Sequence, residues 1–218
     1  MDVKMTAMHL GTTILKFEMP LEFIDEINKL YDDNVENLKS HNEWLAGKIK
    51  EEKRIDNILT YNMKDTFKQL FEQFILYNGG EQLLPHQVAD FYRPSSGSMN
   101  LKLDGAWINE MRTNEYNPFH HHWCPETEAS GLSSVLFLKT PSTYGEEVCN
   151  PKIPANGVLQ FISGNNEPLT KSNIRVDPRV GDLYIFPFGL YHGVYPFNGT
   201  DEVRRTLSYN CGVTGRNI

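Results

Sequence analysis

The chain has 218 residues, 39% hydrophobic and 22% charged, with a formal net charge of −7, which suits one globular domain with a substantial core. The acidic balance argues against sequence-independent nucleic-acid binding, which needs a basic surface. No apolar run approaches the roughly 20 residues that cross a bilayer, and MDVKMTAMHLGTTILKFEMP lacks the apolar stretch and cleavage site of a signal peptide. No membrane partner and a cytoplasmic location are therefore expected. Three cysteines, Cys124, Cys149 and Cys211, are too few and too irregularly spaced for a disulfide framework or a paired-cysteine zinc site.

In chain order, a short strand is predicted at Thr13 to Phe17. Pro20 then opens a helix in which Ile24, Ile27, Leu30 and Tyr31 fall on one face. The charged stretch Asp32 to Ile58 reads as helix and loop. A second helix is expected to be capped by Asn62, with Asp65 in its first turn, an apolar stripe of Phe67, Leu70, Phe71, Phe74 and Ile75, and a stop at Gly79 and Gly80. From Leu83 onward the pattern changes to short strands separated by Gly, Pro and Asn: Val88 to Tyr92, Ala106 to Met111, Ser133 to Lys139, Val158 to Ile162, Asp182 to Phe186 and Thr206 to Val213. The expected fold is mainly β with flanking helices, in a single domain over residues 1–218. Residues 1–82 form its helical N-terminal support and 83–218 its β core.

Chemistry concentrates in Asn117 to Trp123, NPFHHHW. Neutral imidazole is the commonest ligand for transition metals, and alternate residues of an extended segment share a face, so His120 and His122 can claim one ion while His121 points away. A third arm is available at His192, in GDLYIFPFGLYHGVYPF. In VRRTLSYN, alternation puts Arg204, Thr206, Ser208 and Asn210 on one face and Arg205, Leu207 and Tyr209 on the other. An arginine turned into a barrel is costly unless an anion meets it, and its planar fork suits a carboxylate, with the Thr206 hydroxyl as a neighbouring donor. The plainer readings are a polar surface run for the histidines, a hydrogen-bonded core histidine at 192 and an exposed strand edge at 204. They explain each residue singly and not the set.

The order H-x-H, then F-P, H-G-V and R-x-T resembles the Fe(II)- and 2-oxoglutarate-dependent dioxygenases, in particular a small branch reading W-x-N, H-x-H, S-G-V-x-Y-L, F-P, H-G-V and R-x-S-x-S-x-N. This chain supplies Trp107 with Asn109, His120 with His122, SGLSSVLFL, Phe186-Pro187, His192-Gly193-Val194, and Arg204 with Thr206, Ser208 and Asn210. The resemblance covers about Asp104 to Val213. It implies a double-stranded β-helix, or jelly roll, with iron held by His120 and His192 and 2-oxoglutarate gripped by Arg204 and Thr206. The usual triad has one carboxylate, and here the third ligand is either His122 or one of Glu126 and Glu128. The implied activity is an oxygenase, in all expectation a hydroxylase, that takes 2-oxoglutarate, O2 and an unidentified small molecule or protein side chain. Phe137, Phe161, Tyr184 and Phe186 are expected as pocket walls. A cupin-like three-histidine metal protein without 2-oxoglutarate chemistry and a non-enzymatic interaction module are the alternatives.

Overall fold

Two antiparallel sheets face each other in the computed structural model, which describes residues 3–9, 12–42, 47–79, 100–122, 131–147, 152, 154–164 and 172–214. The strands are β1 (Lys4–His9), β2 (Thr13–Glu18), β3 (Glu51–Arg54), β4 (Asn100–Met111), β5 (Asn117–His120), β6 (Gly131–Lys139), β7 (Leu159–Ile162), β8 (Asn173–Val176), β9 (Asp182–Pro187), β10 (Tyr191–Val194) and β11 (Arg204–Thr214). The helices are α1 (Leu21–Asp32) and α2 (Tyr61–Gly79). The larger sheet runs β1-β2-β9-β6-β11-β4-β3 and the smaller β5-β10-β7-β8. This is a jelly roll, as the family resemblance implies.

Both faces of the large sheet are covered, which is why β6 reads as a nearly unbroken buried run. One face packs on the helices, where Phe67 of α2 meets Tyr209 of β11 at 5.1 Å between ring centroids and Phe23 of α1 at 6.0 Å. The other face packs on the small sheet through a second cluster that includes Phe137, Phe161, Tyr184 and Phe186. The α1 stripe buries Ile24, Ile27 and Tyr31, and the α2 stripe buries all five predicted apolar residues. Among the described residues no helix is long and apolar enough to cross a membrane.

Several local expectations are corrected. The N-cap of α2 is Thr60, whose Oγ1 accepts from the Met63 N–H at 3.2 Å, and Asn62 lies inside the helix. Within Asp32 to Ile58 the chain forms β3, because pairing with β4 overrides its weak intrinsic preference. The region expected to be helical support therefore also contributes β1, β2 and β3 to the large sheet. Asn173–Val176, not among the expected strands, forms β8 by pairing with β7. Val88 to Tyr92 lies outside the described residues.

β11 is tied to α1 by a buried charge network. Arg205 Nε donates to Glu110 Oε1 at 2.7 Å, Nη1 to Asn28 Oδ1 at 2.9 Å and Nη2 to Asp32 Oδ1 at 2.7 Å. Its guanidinium also lies 4.5 Å from the Tyr31 ring centroid. Removing one partner of a buried pair leaves the other uncompensated, so Arg205→Ala should cost about 3–5 kcal/mol in urea unfolding. A loss below about 1 kcal/mol, the range of an exposed pair, would contradict this account of how α1 is held.

Candidate functional site

The small sheet delivers the histidines. His192 of β10 stands opposite His120, the last residue of β5. The strands approach closely because residue 193 is glycine. A Cβ there would lie 3.1 Å from both the Asn117 carbonyl oxygen and the Phe119 nitrogen. His122 lies two residues past the end of β5 and not within a strand that runs into β6. Its backbone N–H donates to the Phe188 carbonyl at 2.9 Å. One ligand atom from each of His120, His122 and His192 comes within 4.8 Å of the others. His121 points away, against Tyr191.

The tautomers follow from the partners. Nδ1 of His120 lies 2.8 Å from the Pro118 carbonyl and Nδ1 of His192 2.9 Å from the Leu190 carbonyl. A carbonyl only accepts, so both Nδ1 atoms carry the proton and both Nε2 lone pairs are free for a metal. At His122 the choice belongs to Asn210 and Ser133. Ser133 Oγ donates to Asn210 Oδ1 at 2.8 Å, while Asn210 Nδ2 lies 3.3 Å from His122 Nδ1. With that amide turned over, Oδ1 accepts from His122 Nδ1–H and Nδ2 donates to the Ser133 hydroxyl. This frees the third Nε2, which lies 3.2 Å from that of His192. The donor set fits a divalent transition metal.

Burial keeps these rings neutral. It pulls His122 down to about 3 and His192 well below the ordinary histidine value, and the neighbouring imidazoles push the same way. His120 is lowered as well, chiefly by burial.

The large sheet supplies the opposite wall of the same cavity, about 660 Å³ in volume, through Arg204, Thr206, Ser208 and Asn210. Arg204 is fully buried, 4.8 Å from the Phe137 ring centroid, and neither Nε nor Nη2 has a hydrogen-bond partner. Burial lowers it to about 10, so it remains a cation at neutral pH. Adjacent arginines thus have opposite fates. Arg205 donates to Glu110, Asn28 and Asp32, whereas Arg204 holds its charge towards the cavity with two buried nitrogens, Nε and Nη2, unanswered among the described residues. Groups of that kind in a native fold call for a ligand.

The structure brings His120, His122, His192, Arg204 and Thr206 together around one cavity. Glu126, Glu128 and Cys124 lie outside the described residues. Phe137, Phe161, Tyr184 and Phe186 do not line the cavity. They form the core beneath it, and Val135 and Leu159 supply its apolar lining. Glu52 lines the cavity too and was missed, because β3 was not recognised as a strand and so its alternation could not be read.

Residues 105–210 match the family described as "Putative 2OG-Fe(II) oxygenase". No curated protein sequence matches the chain. Among solved structures, a prolyl-4-hydroxylase from Pseudomonas putida is 14% identical, with 99% of this chain and 95% of that one covered and a TM-score of 0.54. HygX from Streptomyces hygroscopicus, with nickel and 2-oxoglutarate bound, is 11% identical over 92% and 83% of the chains, with a TM-score of 0.52. A prolyl hydroxylase from Trichoplax adhaerens, in complex with a hypoxia inducible factor peptide, is 10% identical over 88% and 78%, with a TM-score of 0.53. Residues 105–210 thus carry the pattern of the Fe(II)- and 2-oxoglutarate-dependent oxygenases, on a fold shared along the length of the chain with solved structures of such enzymes.

Proposed function

We propose that the protein is a 2-oxoglutarate-dependent hydroxylase whose iron is held by His120, His122 and His192 and whose cosubstrate is anchored by Arg204 and Thr206. The observation that carries this reading is the pairing, in one cavity, of three converging imidazoles with a buried arginine that has no anionic partner among the described residues. Iron with 2-oxoglutarate supplies the oxidising power, coupling reduction of O2 and decarboxylation of the keto acid to succinate to oxidation of a substrate C–H bond. The protein's part is binding and orientation.

The Arg204 fork would hold the distal carboxylate of the cosubstrate, and the Thr206 hydroxyl on the same face would add a donor. Phe137 beneath the guanidinium keeps water from its lower face. Pro118 and Leu190 fix the rings of His120 and His192, so those ligands enter with one tautomer and one orientation. Asn210 and Ser133 do the same for His122, the position where the more usual triad has a carboxylate. A neutral ligand there leaves the centre one unit more positive, which favours a doubly charged cosubstrate.

Removing the anion's only buried cation should cost 2 kcal/mol or more, about 30-fold or greater in affinity. Arg204→Ala is therefore expected to lose the visible charge-transfer band formed anaerobically with Fe(II) and 2-oxoglutarate, while Co(II) binding is retained. An undiminished band would refute the anchor.

Depressed basicity also makes a prediction about metal uptake. A ligand whose basicity burial lowers loses its lone pair to protons only at lower pH, so Co(II) affinity should fall less steeply between pH 7 and 5.5 than it would for three imidazoles of ordinary basicity. Three imidazoles of ordinary basicity would each lose roughly tenfold per pH unit below 6.5. A steep fall beginning at pH 6.5, followed by equilibrium dialysis, would contradict the ligand assignment.

A further inference from the structure

With three imidazoles assigned to the metal and Arg204 and Thr206 to the cosubstrate, one wall of the cavity still carries unanswered chemistry. Glu52 sits on β3, the edge strand of the large sheet, directly opposite Asn109 of β4, which is itself opposite Thr206 of β11. At the usual strand spacing this places Glu52 about 10 Å across the sheet from the Thr206 position. Its backbone is fixed, since its N–H donates to Asn42 Oδ1 at 2.8 Å and its carbonyl accepts from the His41 N–H at 2.9 Å. Its side chain is not answered. Glu52 is only 3% exposed and lines the cavity, yet its carboxyl has no hydrogen bond and no ion pair among the described residues.

Beside it is a second acceptor in the same condition. Asn109 is 7% exposed and its buried Oδ1 has no partner. On the same face of β4, two residues away, the Trp107 indole borders the cavity between His41 and His122. A carboxyl, an amide oxygen and an indole face together form a surface for a cationic nitrogen: ion pair, hydrogen-bond acceptor and cation–π partner. The protein's own nearby cations do not fill it. Arg54 is engaged by Asp56 at 3.1 Å, and Arg204 lies across the sheet on β11.

We propose that Glu52, with Asn109 and Trp107, is the recognition site for a positively charged nitrogen, ammonium or guanidinium, on the substrate that is oxidised. The assignment rests on the oxygenase reading of the cavity and adds to it the substrate's chemical class. The cavity then has two poles, Arg204 for the dicarboxylic cosubstrate and Glu52 for a cationic substrate. The substrate is held by its nitrogen at the β3 edge, so that its carbon chain extends towards the histidines. With no partner, burial pushes the Glu52 carboxyl up to about 8. At neutral pH it therefore keeps its proton, and an arriving cation displaces that proton to solvent.

The test is saturation-transfer NMR at pH 7 on the full chain loaded with Zn(II) and 2-oxoglutarate, using n-butylammonium, n-butylguanidinium, n-butanol and butyrate as probes. The two cations are expected to bind and the neutral and anionic probes not to. Glu52→Gln and Glu52→Ala, each shown to be folded by circular dichroism, should weaken cation binding at least about tenfold, the range of a lost charge-assisted contact. Equal binding of n-butanol, absence of cation binding, or cation binding unchanged in both variants would overturn the proposal. The anaerobic Fe(II) and 2-oxoglutarate band of the wild-type chain separates the two claims. A normal band without cation binding removes only the Glu52 assignment. Glu52-dependent cation binding without the band supports the cation site and removes the oxygenase reading.

Discussion

The structure turns on the period-two alternation of β11. Arg204 and Arg205 are neighbours in sequence and both are buried, but the pleat sends them to opposite faces of the same strand. Arg205 enters a network of Glu110, Asp32 and Asn28 that ties the sheet to α1. Arg204 enters the space between the sheets, where its Nε and Nη2 find no hydrogen-bond partner among the described residues. A slip of one residue in the register of β11 that carried Arg205 into the place of Arg204 in the cavity would set Thr206 opposite Glu110 and Asp32 and leave those acids without their counterion. Central placement between β4 and β6 pairs the strand on both sides over almost its full length, with one register irregularity on each side, at Arg205/Thr206 towards β6 and at Tyr209/Cys211 towards β4.

The two sheets divide the labour. The small sheet brings the imidazoles, at the end of β5 and within β10, where Gly193 allows the strands to approach. The large sheet brings the residues that meet a ligand's polar groups, on the inward rows of β3, β4 and β11. The aromatic cluster of Phe137, Phe161, Tyr184 and Phe186 lies under both, so the site stands on a rigid packed floor. Phe186 packs 4.6 Å from His192 and Phe137 lies 4.8 Å from the Arg204 guanidinium, which joins the two halves through one core.

Much of this was legible in the chain because the signals were chemical and local. H-x-H, H-G-V and R-x-T each carry residues that are costly to bury without a reason, and alternation alone separated Arg204 from Arg205. The helical stripes of α1 and α2 were equally plain, since their apolar spacing follows the 3.6-residue period. What escaped was determined by tertiary pairing. EEKR has no β-branched or aromatic residue and becomes β3 only because β4 presents it with a free edge, so Glu52 could not be placed on an inward row. NIRV carries two β-branched residues, Ile174 and Val176, but is only four residues long and becomes a strand by pairing with β7. The cap of α2 fell two residues earlier than expected because Thr60 and Asn62 are both competent caps and the choice rests on where the chain leaves Leu59, which is buried in the core. The outer partners of His122 were also hidden, since Ser133 and Asn210 lie 77 positions apart and meet only through the pairing of β6 with β11.

The central claim is that one cavity holds a metal on three imidazoles and a dicarboxylic acid on Arg204. A crystal structure of the chain grown under nitrogen with Fe(II) and 2-oxoglutarate tests it directly. The account predicts iron bonded to Nε2 of His120, His122 and His192, at the roughly 2.0–2.2 Å typical of metal–imidazole bonds, and the far carboxylate of the keto acid in two hydrogen bonds with the Arg204 fork. Iron bound elsewhere, or a 2-oxoglutarate carboxylate that does not reach Arg204, would contradict it.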